Sequence, residues 1–252
     1  MTGHAHQRRD WEDLASFDSY GAILRPPERK GQRWEEEEFL ATGQRDAERI
    51  LEAAAVHNLP RRFGSALDFG CGVGRVTRAL AARFDEVVGV DISPTMIDRA
   101  RTVTSSFGNC RFVVGAAPAL RALPAQHYDL VVSILVLQHL PSAREAELTV
   151  TMLAGRVAPG GALIVQVPRQ LPLRRRLQSR RRAYALLRNL GIAPRLLLGR
   201  FGLDPIRTTA LSEARVRRAI EDAGAILVAA EDDDATGLHV PSRRYLATRS
   251  DS

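Results

Sequence analysis

The feature that most constrains this chain is the stretch Ser65-Ala66-Leu67-Asp68-Phe69-Gly70-Cys71-Gly72-Val73-Gly74-Arg75. It begins as a short apolar run, passes through three glycines in five residues, and leaves in a helix-like pattern. That order is a strand entering a tight turn and then a helix N-terminus. Glycines are required where the chain turns sharply and where a ligand must come close to the backbone. A second apolar run, Val87-Val88-Gly89-Val90, ends at Asp91, twenty-one residues after Gly70. An acid at that distance is placed to accept hydrogen bonds from a ribose.

Strand and helix patterns alternate around this turn. Strands are expected at about 65–70, 86–91, 111–114, 128–133 and 162–167, with helices at 73–84, from Ser93-Pro94 to about 105, and from Ser142 to 157. Ser93-Pro94 is a good cap and first-turn pair. The run 128–133 is nearly all apolar, as in a strand buried on both faces. After an insertion at 168–210, a helix from Leu211 to Ala223 capped by Gly224 precedes two strands, 225–230 and about 239–248. The expected fold class is therefore α/β, a Rossmann-like, mostly parallel seven-stranded sheet. Helices cover both faces and an antiparallel C-terminal hairpin forms one edge. Residues 1–60 are expected to form a helical cap, 61–167 the core, 168–210 an Arg-rich helical lid and 211–252 the completion of the sheet. In the cap, Trp11, Leu14, Phe17, Tyr20, Ile23 and Leu24 read as scattered apolar anchors. Residues 35–56 read as one or two helices with Gly43 a candidate break.

With 252 residues, one core with additions is expected. No run reaches transmembrane length and residues 1–10 lack the apolar centre of a secretory signal. A cytoplasmic protein without stable membrane insertion is expected. The formal charge of +7 is uneven: Leu148–Leu203 holds eleven arginines and no acid. Lys30 is the sole lysine, so the arginine bias reads as base composition and gives no support for a nucleic-acid partner. Cys71 and Cys110 form no framework or metal spacing, and no metal is expected.

The spacing then decides among nucleotide-like ligands. A dinucleotide site places its third glycine three residues after the second, whereas Gly74 follows Gly72 by two. Asp68 lies two residues before Gly70, where a carboxylate can bind a ligand ammonium. With these residues in view, Leu67-Asp68-x-Gly70-Cys71-Gly72-x-Gly74 and Val90-Asp91-x-Ser93 resemble the class I S-adenosylmethionine-dependent methyltransferases. The run Tyr128-Asp129-Leu130-Val131 ending in Leu137-Gln138-His139-Leu140, and the turn Ala158-Pro159-Gly160-Gly161, resemble their small-molecule (methyltransferase-11-like) branch. The resemblance covers 64–167 and, less closely, 211–248.

It implies S-adenosyl-L-methionine as cofactor and roles by position. Asp68, Gly70 and Gly72 would line the methionine end, and Cys71 and Arg75 would also be cofactor-binding. Asp91 would take the ribose hydroxyls, with Ile92 and Met96 against the adenine. Where the family often has an acid for the adenine amino group, this chain has Gly115-Ala116-Ala117, leaving backbone at Ala116 and Ala117 to read that edge. Ser133, Ile134 and Leu135 would sit near the reactive methyl. His139 is the candidate catalytic base, beside a purely structural role capping the next helix.

The function implied is methyl transfer to oxygen or nitrogen of a small molecule by in-line displacement. The rivals are a nucleic-acid methyltransferase and a non-catalytic cofactor-binding protein. The first lacks an Asn/Asp-Pro-Pro-Tyr/Phe motif after strand four and lacks basic surface interleaved with aromatics. The Arg-rich insertion reads either as a solvated face or as a lid for an anionic or lipid-linked acceptor, with Arg174–Arg176 as the clamp. His4, His6 and His57 read as solvated, and Glu231–Asp234 as a solvated turn.

Overall fold

The computed structural model describes residues 2–24, 33–123, 127–172, 177–233 and 240–250. Among the described residues, seven strands form one sheet: β1 (Ser65–Phe69), β2 (Glu86–Asp91), β3 (Cys110–Val114), β4 (Tyr128–Ser133), β5 (Val157–Pro168), β6 (Ile226–Asp232) and β7 (Ser242–Thr248). Their order is β3-β2-β1-β4-β5-β7-β6. The first five are parallel, and β7 pairs antiparallel with both β5 and β6. This is the expected Rossmann-like sheet with its antiparallel edge.

Alternation of side chains along each strand feeds two cores. Leu67, Phe69, Val88, Val90 and Val131 pack in one cluster. Ala66, Val87, Leu130 and Val132 pack in the other. The central strands are therefore covered on both faces, as parallel strands require. The helices that do this are α2 (Glu36–Ala55), α3 (Arg75–Ala81), α4 (Pro94–Val103), α5 (Ala143–Ala154) and α7 (Glu213–Glu221), with α1 (Thr2–Ile23) and α6 (Ser179–Asn189) lying outside them. α2 is one continuous helix. Gly43 does not interrupt it: a Cβ there would lie 2.2 Å from the Arg75 carbonyl oxygen, so glycine lets α2 touch the first turn of α3.

Other boundaries move. β5 starts at Val157 and takes in the Pro159-Gly160-Gly161 segment expected as a turn, with Pro159 bridged to Arg249. Regular helix after the glycine loop is shorter than expected, 75–81. α6 runs from 179 to 189, and Leu173 and Arg174–Arg176 lie outside the described residues, as do Asp234 and His239. Among the described residues no helix is long and apolar enough to cross a membrane.

The largest difference is at the N-terminus. The scattered anchors from Trp11 to Ile23 lie on α1, which bends at Asp18. Leu14, Ala15 and Tyr20 pack with Phe39, Met96, Tyr184 and Leu197 in a third core cluster. Two polar clamps fix α1. The Glu12 carboxylate accepts from Ser93 Oγ (2.5 Å), Thr95 N (3.1 Å) and Thr95 Oγ1 (2.7 Å) at the start of α4. Burial works against ionisation of Glu12, but those hydrogen bonds outweigh it and hold the carboxyl below its usual range. Asp13 accepts from Tyr184 Oη (2.8 Å) and Arg188 Nε (3.0 Å) of α6. Glu12→Ala is expected to lower stability by about 1–2 kcal/mol, the usual cost of a lost helix cap. Thermal unfolding of the two proteins side by side checks this; an unchanged Tm would show that the clamp contributes nothing.

Candidate active site

The chain runs from β1 outward to β2 and β3, then returns to place β4 on the other side of β1. At such a switch point the loops leaving neighbouring strands diverge and open a crevice at the carboxyl ends. A cleft with about 890 Å³ of open space lies here. All the expected site residues line it except Ala117 and Ser133. Ala117 faces the core and Ser133 is fully buried, its Oγ without a hydrogen-bond partner among the described residues.

The glycine loop is pinned to β2. Gly70 N and Cys71 N donate to the Val90 carbonyl (2.7 and 3.1 Å). Gly72 N donates to Asp91 Oδ2 and Ser93 N to Asp91 Oδ1, both at 2.9 Å. Gly70, Gly72 and Gly74 all have positive φ, which explains the residue type at each. Leu135, just past β4, also has positive φ (61°), a conformation unusual for a branched residue and common beside ligand sites. Its N–H donates to Gln166 Oε1 at 3.2 Å.

Asp68, 3% exposed, accepts from Thr77 Oγ1 at 2.7 Å. Burial raises its carboxyl from 3.8 to about 6, against the Thr77 hydrogen bond and the nearby Arg75 charge. Burial likewise raises Asp91 to about 6, partly offset by the backbone donors of Ser93, Gly72 and Ile92. Two carboxyls in one apolar cleft are uncomfortable when ionised. A cation between or beside them would relieve that. Arg75 does not do so alone: its guanidinium is 4% exposed and bonds Asp46 Oδ2 (2.5 Å) and Thr42 Oγ1 (3.3 Å) of α2. The Cys71 thiol is buried and pushed up by burial and by the two aspartates, which disfavours the thiolate that a nucleophile needs.

Several cleft residues were not expected, and three of them share one helix. Gln7, Trp11 and Ile23 come from α1 and roof the glycine loop. Trp11 meets the His139 ring edge-on, centroids 5.4 Å apart. His139 Nδ1 lies 2.7 Å from the Arg207 carbonyl oxygen. That contact places the hydrogen on Nδ1 and leaves a lone pair on Nε2, which is 3.2 Å from the Gln138 amide nitrogen. Gln7, Trp11 and His139 also line a second cleft, bounded by α1, α6 and the segment 205–207. The wall between the two spaces is thus made of these three side chains.

Comparison with known proteins agrees with this geometry. Residues 66–161 match a family model described as a methyltransferase domain. The trans-aconitate 2-methyltransferase of Streptomyces avermitilis is 34% identical over 139 residues, 54% of this chain and 51% of that enzyme. The 2-methyl-6-phytyl-1,4-hydroquinone methyltransferase of Synechocystis is 34% identical over 115 residues, 43% of this chain and 35% of that enzyme. The matched region thus spans about half the length of the first relative and less of the second. Among solved structures, magnesium protoporphyrin IX methyltransferase from Synechocystis with bound SAH superposes with a TM-score of 0.64 at 23% identity, covering 98% of this chain and 100% of that one. The N-methyltransferase NodS from Bradyrhizobium japonicum, in complex with SAH, gives 0.60 at 16%, covering 98% and 99%. The chain therefore has the fold of the class I S-adenosylmethionine-dependent methyltransferases.

Proposed function

We propose that this chain is an S-adenosylmethionine-dependent methyltransferase acting on oxygen or nitrogen of a small molecule. The observation that carries this is the pair Asp68 and Asp91, set at the carboxyl ends of adjacent strands in one apolar cleft that α1 covers. The donor set fits the cofactor. We assign Asp91 to the ribose hydroxyls and Asp68 to the ammonium. We assign Ile92, Met96 and the backbone at Ala116 to the adenine, and Gly70, Gly72 and Leu135 to the methionine portion. When bound, S-adenosylmethionine supplies a methyl group already activated by its sulfonium. What the chain must add is alignment of the two reactants and exclusion of water. We assign the cover to α1 and to the segment 168–210, which meet at Asp13, Tyr184 and Arg188. The acceptor, which we read as small and negatively charged, would enter by the second cleft and meet the methyl at the His139–Trp11 wall.

His139 is our candidate base. With its hydrogen on Nδ1, Nε2 can take the proton of an acceptor hydroxyl or amine that displaces the Gln138 amide from it. His139→Ala and His139→Asn should each lower kcat by about 10²-fold, the common worth of a general base, with little change in cofactor affinity. Asparagine can still donate to the Arg207 carbonyl, so a loss shared by both variants belongs to Nε2. Unchanged turnover in His139→Asn would leave the ring a structural role only.

The reading as a whole is tested by calorimetric titration with S-adenosylhomocysteine, for which one site per chain is expected and no heat of binding would overturn it. The titration should also depend on pH. Protonation of Asp68 and Asp91 removes the charge that holds the ligand, so affinity should fall as pH drops through about 6. In the ligand-free protein the sign is reversed. The folded values lie above the ordinary 3.8, so these carboxyls favour the fold at low pH and that contribution is lost as pH rises through about 6. Flat affinity from about pH 7.5 to about pH 5 would contradict the assignment of the two aspartates.

A further inference from the structure

The second cleft has a charge that its own residues do not balance. Among the described residues, Arg9, Arg181 and Arg207 line it with a single carboxylate, Asp10. Arg181 comes from α6 and Arg207 from the segment that carries the His139 partner carbonyl. The Arg181 Nε is buried and has no hydrogen-bond partner among the described residues. A buried guanidinium N–H without an acceptor costs free energy until something accepts from it. The Arg207 guanidinium donates to the Pro141 carbonyl and retains further donors. Burial, then the neighbouring Arg181 charge, pushes the Arg207 guanidinium below its usual range. Burial raises the Asp10 carboxyl even though Arg181 and Arg9 pull it down. Gln7, whose Oε1 is also buried without a partner, lines both clefts and holds the His139 carbonyl through Nε2 at 3.4 Å.

We infer that the second cleft binds an anionic group of the methyl acceptor, a carboxylate or phosphate monoester, between Arg181 and Arg207. This rests on the methyltransferase reading, since the cleft is an acceptor site only if the first cleft holds the cofactor. A planar guanidinium forks onto two oxygens of either anion, which suits both chemistries. The anion would supply the acceptor that Arg181 Nε lacks and separate two like charges. It would also anchor the acceptor against the wall formed by Gln7, Trp11 and His139, so that its nucleophilic atom faces the first cleft.

The test uses the full chain saturated with S-adenosylhomocysteine. Citrate and glycerol 3-phosphate are titrated in, with glycerol as the neutral control, and vesicles of phosphatidic acid in phosphatidylcholine form a separate arm. The soluble anions should bind and glycerol should not. Arg181→Gln and Arg207→Gln should each weaken anion binding by about tenfold or more, one charge-assisted contact. Arg181→Lys should recover part of the loss, and Arg182→Gln, exposed on the same helix, should change nothing. Arg181-dependent binding to vesicles but not to soluble anions would support the same site with a lipid headgroup as the source. Anion and vesicle binding that is absent, or equal in wild type and both glutamine variants, would overturn the inference while S-adenosylhomocysteine still binds. Wild-type protein that fails to bind S-adenosylhomocysteine would instead strike the methyltransferase reading itself.

Discussion

Gly72→Val is expected to abolish S-adenosylmethionine binding while the sheet still folds. Gly72 has φ of +55°, where a β-branched residue is strained by about 1–2 kcal/mol. A Cβ at this position would stand 2.6 Å from Ile23 Cδ1, so the side chain enters the space between the loop and α1. Ile23 can swing aside, but only by opening the roof of the cleft. The Gly72 N–H also holds Asp91 Oδ2, and a shifted loop would release it. Steric intrusion, backbone strain and a lost carboxylate support thus act together on one site. None of them reaches the central strands. Calorimetry with S-adenosylhomocysteine and a thermal melt separate the effects: no binding with a Tm within several degrees of wild type is expected. Binding of wild-type strength would show that the loop does not approach the ligand.

Asp91→Ala should weaken the cofactor by about 10³-fold or more. Each charge-assisted hydrogen bond to a buried carboxylate is worth about 1.5–3 kcal/mol, and the ribose presents two hydroxyls. The same substitution removes the acceptor of Gly72 N and Ser93 N, which leaves the glycine loop and the start of α4 less tightly held. Removing a buried carboxyl whose pKa is raised also relieves the ligand-free protein of an uncomfortable charge. The variant should therefore bind far less tightly and yet be no less stable near neutral pH. Equal affinity of the two proteins would sink the placement of the ribose.

The sheet was legible in the sequence because its signals are local. Val87-Val88-Gly89-Val90 and Leu130-Val131-Val132 are short runs with nowhere to go but the interior. The glycine spacing and Asp91 place the cleft at the ends of β1 and β2, where it lies. A helical cap over residues 1–60 was expected, but how it packs was not legible. The bend at Asp18 breaks the helical phase of α1, so Trp11, Leu14, Phe17 and Tyr20 look like isolated anchors. What Trp11, Leu14 and Tyr20 pack on, Met96, Tyr184 and Leu197, lies far along the chain. The long start of β5 was hidden for another reason. Pro159-Gly160-Gly161 has the composition of a turn, and only the bridge to Arg249 reveals it as strand. The second cleft draws Gln7, Arg181 and Arg207 from three distant segments, and no motif announces such a meeting. A capping reading of Glu12 with Ser93 was equally out of reach, although both residues have the right chemistry for it.

These long-range clamps carry a functional consequence. α1 bonds α4 through Glu12 and α6 through Asp13, so its stretch before the Asp18 bend, which carries Gln7 and Trp11 between the two clefts, is tied to both neighbouring helices. Order in one cleft should therefore favour order in the other.

Methyl transfer to a small molecule is read out by incubating a metabolite extract with isotopically methyl-labelled S-adenosylmethionine, followed by mass spectrometry of the small-molecule and nucleic-acid fractions. The wild-type chain should place label in an anionic small molecule, and Gly72→Val should place none. Cofactor binding without label in any small molecule, or label confined to nucleic acid, would contradict small-molecule methyl transfer.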